Sequence, residues 1–235
     1  MADRPIIFSA PMVRALLAGR KTQTRRILKP RGYRFFEHPV SGWRWEHVKP
    51  SRGLVAGGPL RFENLTDVLP CAVGDRLWLK EAWRIDGAGS RVPAEACLRH
   101  GRQVEYRADG YEPTAWMERS PIFMPRRASR LTLLVTDVRV ERLQDISEGD
   151  AAAEGVELES ADPPFHYVPG IWPHSITAVG VEEPGGRHAA RSFAKLWGHI
   201  NGSESWQANP WVVAVTFTVR ARNIDQLAPI AEAAE

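Results

Sequence analysis

The stretch Leu16-Leu17-Ala18-Gly19-Arg20-Lys21-Thr22-Gln23-Thr24-Arg25-Arg26 changes character at Gly19. Upstream, Met12, Val13, Leu16 and Leu17 recur at helical spacing, Ser9 stands where an N-cap belongs, and Pro11 falls in the first turn. A proline there costs nothing, because its missing N–H has no intrahelical partner anyway. Gly19 supplies the stop. Downstream, Lys21 to Leu28 is β-prone and strongly polar. A short helix is therefore expected between an apolar strand at Ile6–Phe8 and a polar strand beginning near Lys21.

Working outward, Val73-Gly74-Asp75 reads as a turn before a strand over 76–83, with Leu77, Leu79 and Glu81 on one face and Trp78 and Lys80 on the other. Val104-Glu105-Tyr106 is a further short strand, and 129–140 alternates with Leu131, Leu133 and Val135 on one face. A helix is expected over 146–155, with Ser147 as N-cap, Asp150 as the acidic half of a capping box, and Gly155 as terminator. The apolar residues Phe193, Leu196, Trp197 and Ile200 predict an amphipathic helix over 190–200, and Trp211–Val219 a closing strand. Breakers crowd three intervals, at about 30–70, 87–120 and 159–190, which read as loop insertions into one domain spanning 1–235. The fold class is α+β, a small barrel or curled sheet with flanking helices.

The chain has 235 residues, 43% hydrophobic and 25% charged, enough for one large domain with its own core. Its two cysteines, Cys71 and Cys97, exclude a disulfide framework, and neither they nor His166, His174 and His188 have metal-ligand spacing. No metal and no cofactor is therefore expected, and no phosphate-binding glycine loop occurs. With no signal-peptide pattern and no apolar run of about 18 residues, a cytoplasmic protein without a membrane partner is expected. Net charge is +3, but the sign is unevenly spread. Through Arg52 there are twelve basic side chains against three acidic ones, Asp3, Glu37 and Glu46. Such a lobe suits a phosphate-bearing partner, and equally suits a merely soluble surface.

The segment 16–26 resembles the GxKTxTxR signature of ASCH domains. Three further pieces agree in order: Gly74-Asp75 before an apolar strand, Leu143–Glu148 leading to Ala153-Glu154-Gly155, and the closing strand Trp211–Phe217. Together they cover about a third of the chain, and the resemblance is to the longer phage and prophage branch. It implies a PUA-like β-barrel, a class associated with RNA binding. Small bacterial members of that family include amidohydrolases of N4-acetylcytidine. Their Lys, Thr and Glu correspond to Lys21, Thr24 and Glu154. The resemblance thus implies Lys21 as base, Thr24 as nucleophile, and Glu154 as acid or orienting group.

Two geometrical points bear on this expectation. In a regular strand Lys21 and Thr24 would point to opposite faces, so the chain must turn or bulge between them for both to serve one site. Arg20, Arg25 and Arg26 flank Lys21 and would press its pKa down. The alternative is a non-catalytic nucleic-acid-binding module, and a third is a nuclease. The partner expected is nucleic acid, RNA rather than DNA, or a modified nucleoside. Candidate contacts are Arg20, Arg25 and Arg26, a second basic cluster at Arg126, Arg127 and Arg130, and base stacking by Trp43 and Trp45.

Overall fold

The computed structural model describes residues 1–28, 33–38, 42–47, 69–114, 116–161, 164–168 and 189–227; in 33–38, 42–47, 158–161 and 164–167 only the backbone is described. In chain order the strands are β1 (Asp3–Ile7), β2 (Gln23–Ile27), β3 (Tyr33–His38), β4 (Gly42–His47), β5 (Arg76–Lys80), β6 (Trp83–Ile85), β7 (Val104–Tyr106), β8 (Thr132–Arg142), β9 (Glu157–Ala161), β10 (Pro164–Tyr167) and β11 (Trp211–Arg220). The helices are α1 (Ala10–Leu17), α2 (Ala94–Arg99), α3 (Glu148–Ala153) and α4 (Ala189–Asn201). The molecule is α+β.

Five strands form the main sheet in the order β1-β5-β8-β11-β2, so the first two strands of the chain are its two edges. β1 runs parallel to β5, and every other pair in this sheet is antiparallel. The edges are bridged by a side chain: Arg26 Nη2 of β2 donates to the carbonyl of Ile7 at the end of β1, at 2.6 Å. Among the described residues no backbone pairing joins these two strands, so the sheet is curled rather than a closed barrel.

The alternations explain which faces are buried. Leu77, Leu79 and Glu81 are inside while Trp78 and Lys80 are half-exposed, and Leu131, Leu133 and Val135 join the same interior. α1 adds Met12, Val13 and Leu16, and α4 adds Phe193, Leu196 and Trp197, giving one continuous core against the sheet. Ser9 occupies the N-cap position of α1 but its side chain makes no capping bond, whereas Ser147 Oγ does accept the Asp150 N–H at 3.1 Å. The other half of that expected box differs, because the Asp150 carboxylate is engaged by Gln23, Arg25 and Arg139.

The interval read as the insertion at 87–120 contains more order than its composition suggests. It carries α2 and β7, which packs on β6. Trp83, Ile85, Ala88, Cys97, Met124 and Ala128 form a second, smaller core there. The strand expected over 76–83 is also interrupted, ending at Lys80 and resuming as β6 at Trp83. At the break, Glu81 is buried and receives both ends of the Arg130 fork, Nε to Oε1 at 3.0 Å and Nη2 to Oε2 at 3.1 Å. The same guanidinium lies 4.0 Å from the Tyr106 ring centroid and also reaches Asp109. The other two insertions hold hairpins, β3–β4 and β9–β10.

Removing one partner of a buried pair leaves the other charge uncompensated. Arg130→Met is expected to destabilise the fold by about 3 kcal/mol in urea titrations. Adding Glu81→Gln should recover most of that loss. A single variant as stable as the parent would contradict this account of the junction.

Candidate active site

The site begins where α1 ends. The N–H groups of Arg20 and Lys21 both donate to the Ala15 carbonyl, at 2.9 and 3.2 Å, so the chain wraps round the helix end through Gly19, whose φ is +72°. Thr22 N then docks on the carbonyl of Ala153 at the end of α3, at 2.8 Å, and β2 starts only at Gln23. Lys21 therefore precedes the strand, and the alternation that would have set it opposite Thr24 does not apply. The required turn is the helix-to-strand wrap.

Glu154 is the C-cap residue of α3, and Gly155 follows with φ +100°, a conformation that side-chain-bearing residues rarely adopt. This reversal turns Glu154 inward. Lys21 Nζ donates to Glu154 Oε2 at 2.5 Å and to the Glu154 main-chain carbonyl at 2.8 Å. One ammonium thus meets both a carboxylate and a carbonyl left unpaired at the helix end. Lys21 and Glu154 are 2% and 3% exposed, so the ion pair is removed from bulk water. Burial pushes the Lys21 pKa below the usual lysine value; the charge and hydrogen bond of Glu154 oppose this, and the charges of Arg26 and Arg25 add to it. The net direction is down.

Arg25 is buried beside this pair. Its guanidinium contacts Glu141 at 2.6 Å, Asp150 at 3.1 Å and Glu154 Oε1 at 3.5 Å, and Nη1 donates to Gln23 Oε1 at 2.5 Å. Burial alone would raise the Asp150 pKa, but hydrogen bonds from Gln23, Arg139 and Ser147 and the charge of Arg25 outweigh it, leaving Asp150 below the ordinary value.

Lys21, Thr24 and Glu154 line one pocket of about 250 Å³, between the β1–α1 junction, β2 and α4. Its charged end also carries Arg25 and Arg26; its other wall is apolar, from Phe8 and Met12 to Phe193, Leu196 and Trp197. Trp197 is buried, and its indole N–H has no acceptor among the described residues. The volume suits a single small molecule or one exposed base rather than a length of strand.

The basic residues singled out as nucleic-acid contacts are distributed differently. Arg20 pairs with Glu157, Arg126 with Asp3 and Asp225, Arg127 with Glu95, and Arg130 with Glu81 and Asp109. Arg25 is enclosed by carboxylates rather than presented to solvent. Arg26 is exposed at the pocket rim, with its guanidinium 5.1 Å from the Phe8 ring centroid. Trp43 and Trp45 lie on β4, opposite Glu37 and Phe35, and their side chains are outside the described residues. The charge surplus of the N-terminal segment is therefore neutralised in part by acids far along the chain. Glu141 and Asp150 were missing from the sequence-based site for the same reason: nothing local links them to Arg25, 116 residues away in the case of Glu141.

Among the described residues, no group of His, Cys, Asp or Glu side chains is arranged to hold a metal ion, and no helix is long and apolar enough to cross a membrane. No family model, curated protein or solved structure matches the chain.

A Cβ on Gly155 would meet only the Cβ atoms of Ala15 and Lys21, at 3.5 and 3.7 Å, which is ordinary contact. The cost of Gly155→Ala is then backbone strain, about 1–2 kcal/mol. Chemical denaturation is expected to show that loss; an unchanged midpoint would mean that the turn behind Glu154 is not conformationally demanding.

Proposed function

We propose that the chain is an ASCH-type, PUA-like protein whose pocket hydrolyses the amide of an acylated amino group on a nucleobase or nucleoside, N4-acylated cytidine being the model substrate. The observation that carries the reading is the convergence of Lys21, Thr24 and Glu154 on one pocket of single-molecule size.

Lys21 acts as the base. Its burial favours the neutral amine, which can take a proton, over the ammonium, which cannot. The Thr24 hydroxyl gives its proton to Lys21 as its oxygen attacks the acyl carbon. The C–N bond then breaks, and the leaving amine recovers the proton from Lys21. Water completes the cycle by hydrolysing the resulting ester, releasing a carboxylic acid and restoring Thr24. Glu154 orients: Lys21 lies on one of its oxygens and Arg25 on the other, an arrangement suited to holding a base in place rather than to donating a proton. The Phe193–Trp197 wall supplies apolar surface for a planar ring.

The non-catalytic RNA-binding reading draws less support. Five of the six arginines named for it are engaged by carboxylates, and the sixth, Arg26, sits on the pocket itself.

Purified protein is expected to release cytidine from N4-acetylcytidine, followed chromatographically. Lys21→Ala is expected to be less stable than the parent, so turnover is compared at a temperature where circular dichroism shows each variant folded, and there Lys21→Ala and Thr24→Ala should each lower it at least about 100-fold. Because only neutral Lys21 accepts a proton, the rate should rise with pH through a midpoint below the ordinary lysine value of about 10.4. Absence of turnover by folded protein, or full activity in Lys21→Ala, would sink the proposal for this substrate.

A further inference from the structure

We propose that Arg25 is a positioning residue of this site: fixed from behind by Glu141 and Asp150, its guanidinium holds the Glu154 carboxylate by one oxygen so that the other meets Lys21, and its charge acts on the Lys21 ammonium across that carboxylate. This rests on the reading of Lys21 as the base.

The Arg25 side chain has no exposed surface, and such a charge persists inside a protein only where acceptors surround it. Those acceptors come from three directions. Glu141 stands on β8, Asp150 on α3, and Glu154 at the end of α3, while Gln23 approaches from Arg25's own strand. Glu141 is bonded through both Nε, at 3.0 Å, and Nη2, at 2.6 Å, so the plane of the guanidinium is fixed. Nη1 is left pointing between Gln23 Oε1 and Glu154 Oε1. Glu154 is consequently gripped at both oxygens by different cations: Oε1 by Arg25 at 3.5 Å, Oε2 by Lys21 at 2.5 Å.

Among the described residues, β2 contributes Arg25 and Arg26 to the surrounding charges, β8 contributes Asp137, Arg139 and Glu141, and α3 contributes Asp150 and, at its end, Glu154. The pocket wall from α4 consists of Phe193, Leu196, Trp197, Ile200 and Asn201 and adds no charge. Arg139 bridges Glu141 and Asp150 from the outer side, at 3.7 and 2.9 Å, so the two acids that hold Arg25 are themselves held. Arg25 is the link between this outer network and the Lys21–Glu154 pair.

A merely structural arginine and one that tunes Lys21 predict different titrations. The chain has five lysines, so a heteronuclear NMR titration on protein carrying ¹³Cε-labelled lysine resolves Lys21, assigned with Lys21→Met, and requires no turnover. Removing the Arg25 charge in Arg25→Met is expected to raise the Lys21 midpoint by about one pH unit. Glu141→Gln removes a negative charge from the network and is expected to lower it, by about half a unit. Arg25→Lys keeps the charge without the fork and should fall between the parent and Arg25→Met. Opposite signs in the two charge-removing variants cannot come from general loosening of the fold. Lys21 midpoints that stay put in both, or that move in the same direction, would overturn the proposal. Should Arg25→Met fail to fold, Glu141→Gln decides alone, since that side chain is already partly in solvent: a fall supports the link, and no change or a rise overturns it. If Lys21 responds as expected but the parent shows no hydrolysis, the hydrolytic reading falls and the coupling stands. Hydrolysis with an unresponsive Lys21 gives the reverse.

Discussion

A lysine ammonium and a glutamate carboxylate 2.5 Å apart, both withdrawn from water, set the terms for everything around them. Neither charge is tolerable in that position alone, since removing one partner of a buried pair costs several kcal/mol. The chain therefore has to bring two distant turns together accurately: the wrap from α1 into β2, and the reversal at Gly155. Two further bonds make that meeting rigid. Thr22 N lies on the Ala153 carbonyl, and the Glu154 carbonyl itself accepts from Lys21, so the two segments are joined through main chain as well as side chain. Arg25, one residue after Thr24, extends the same logic outward to β8.

Much of the fold could be read from residues close together in sequence. Helix α3 was recoverable from Ser147 and Gly155, α4 from the spacing of Phe193, Leu196 and Trp197, and β8 from its alternation, because those signals are local consequences of helical and strand geometry. Helix α2 was not: its six residues, Ala94–Arg99, carry too little periodicity to separate from a loop, and its packing against Trp83 and Met124 is what stabilises it. The strand expected over 76–83 missed the two-residue break at Glu81 and Ala82 for a similar reason, since Glu81 there meets the distant Arg130.

The candidate site divides along the same line. The residues Lys21, Thr24 and Glu154 could be proposed only from the resemblance of their motif to a family, and not even that gave the turn that puts Lys21 outside the strand or the α4 wall facing them. The basic residues show the limit most clearly. A count of charges along the chain records a surplus, yet Arg25 meets Glu141 from 116 residues away, and only three-dimensional contact reveals that such a charge is already answered.

The seam between β1 and β2 carries a different kind of consequence. Elsewhere in the sheet, neighbouring strands are laced by repeated backbone bonds, and separating them would cost many at once. Among the described residues, the hydrogen bond across this seam is the Arg26 side chain on the Ile7 carbonyl, about 1.5–3 kcal/mol in net terms, with the same guanidinium against the Phe8 ring. The pocket opens beside that seam. Parting that rim would break far fewer bonds than separating two neighbouring strands of the sheet, so the stiffness around the buried ion pair comes from the ladders and not from the seam.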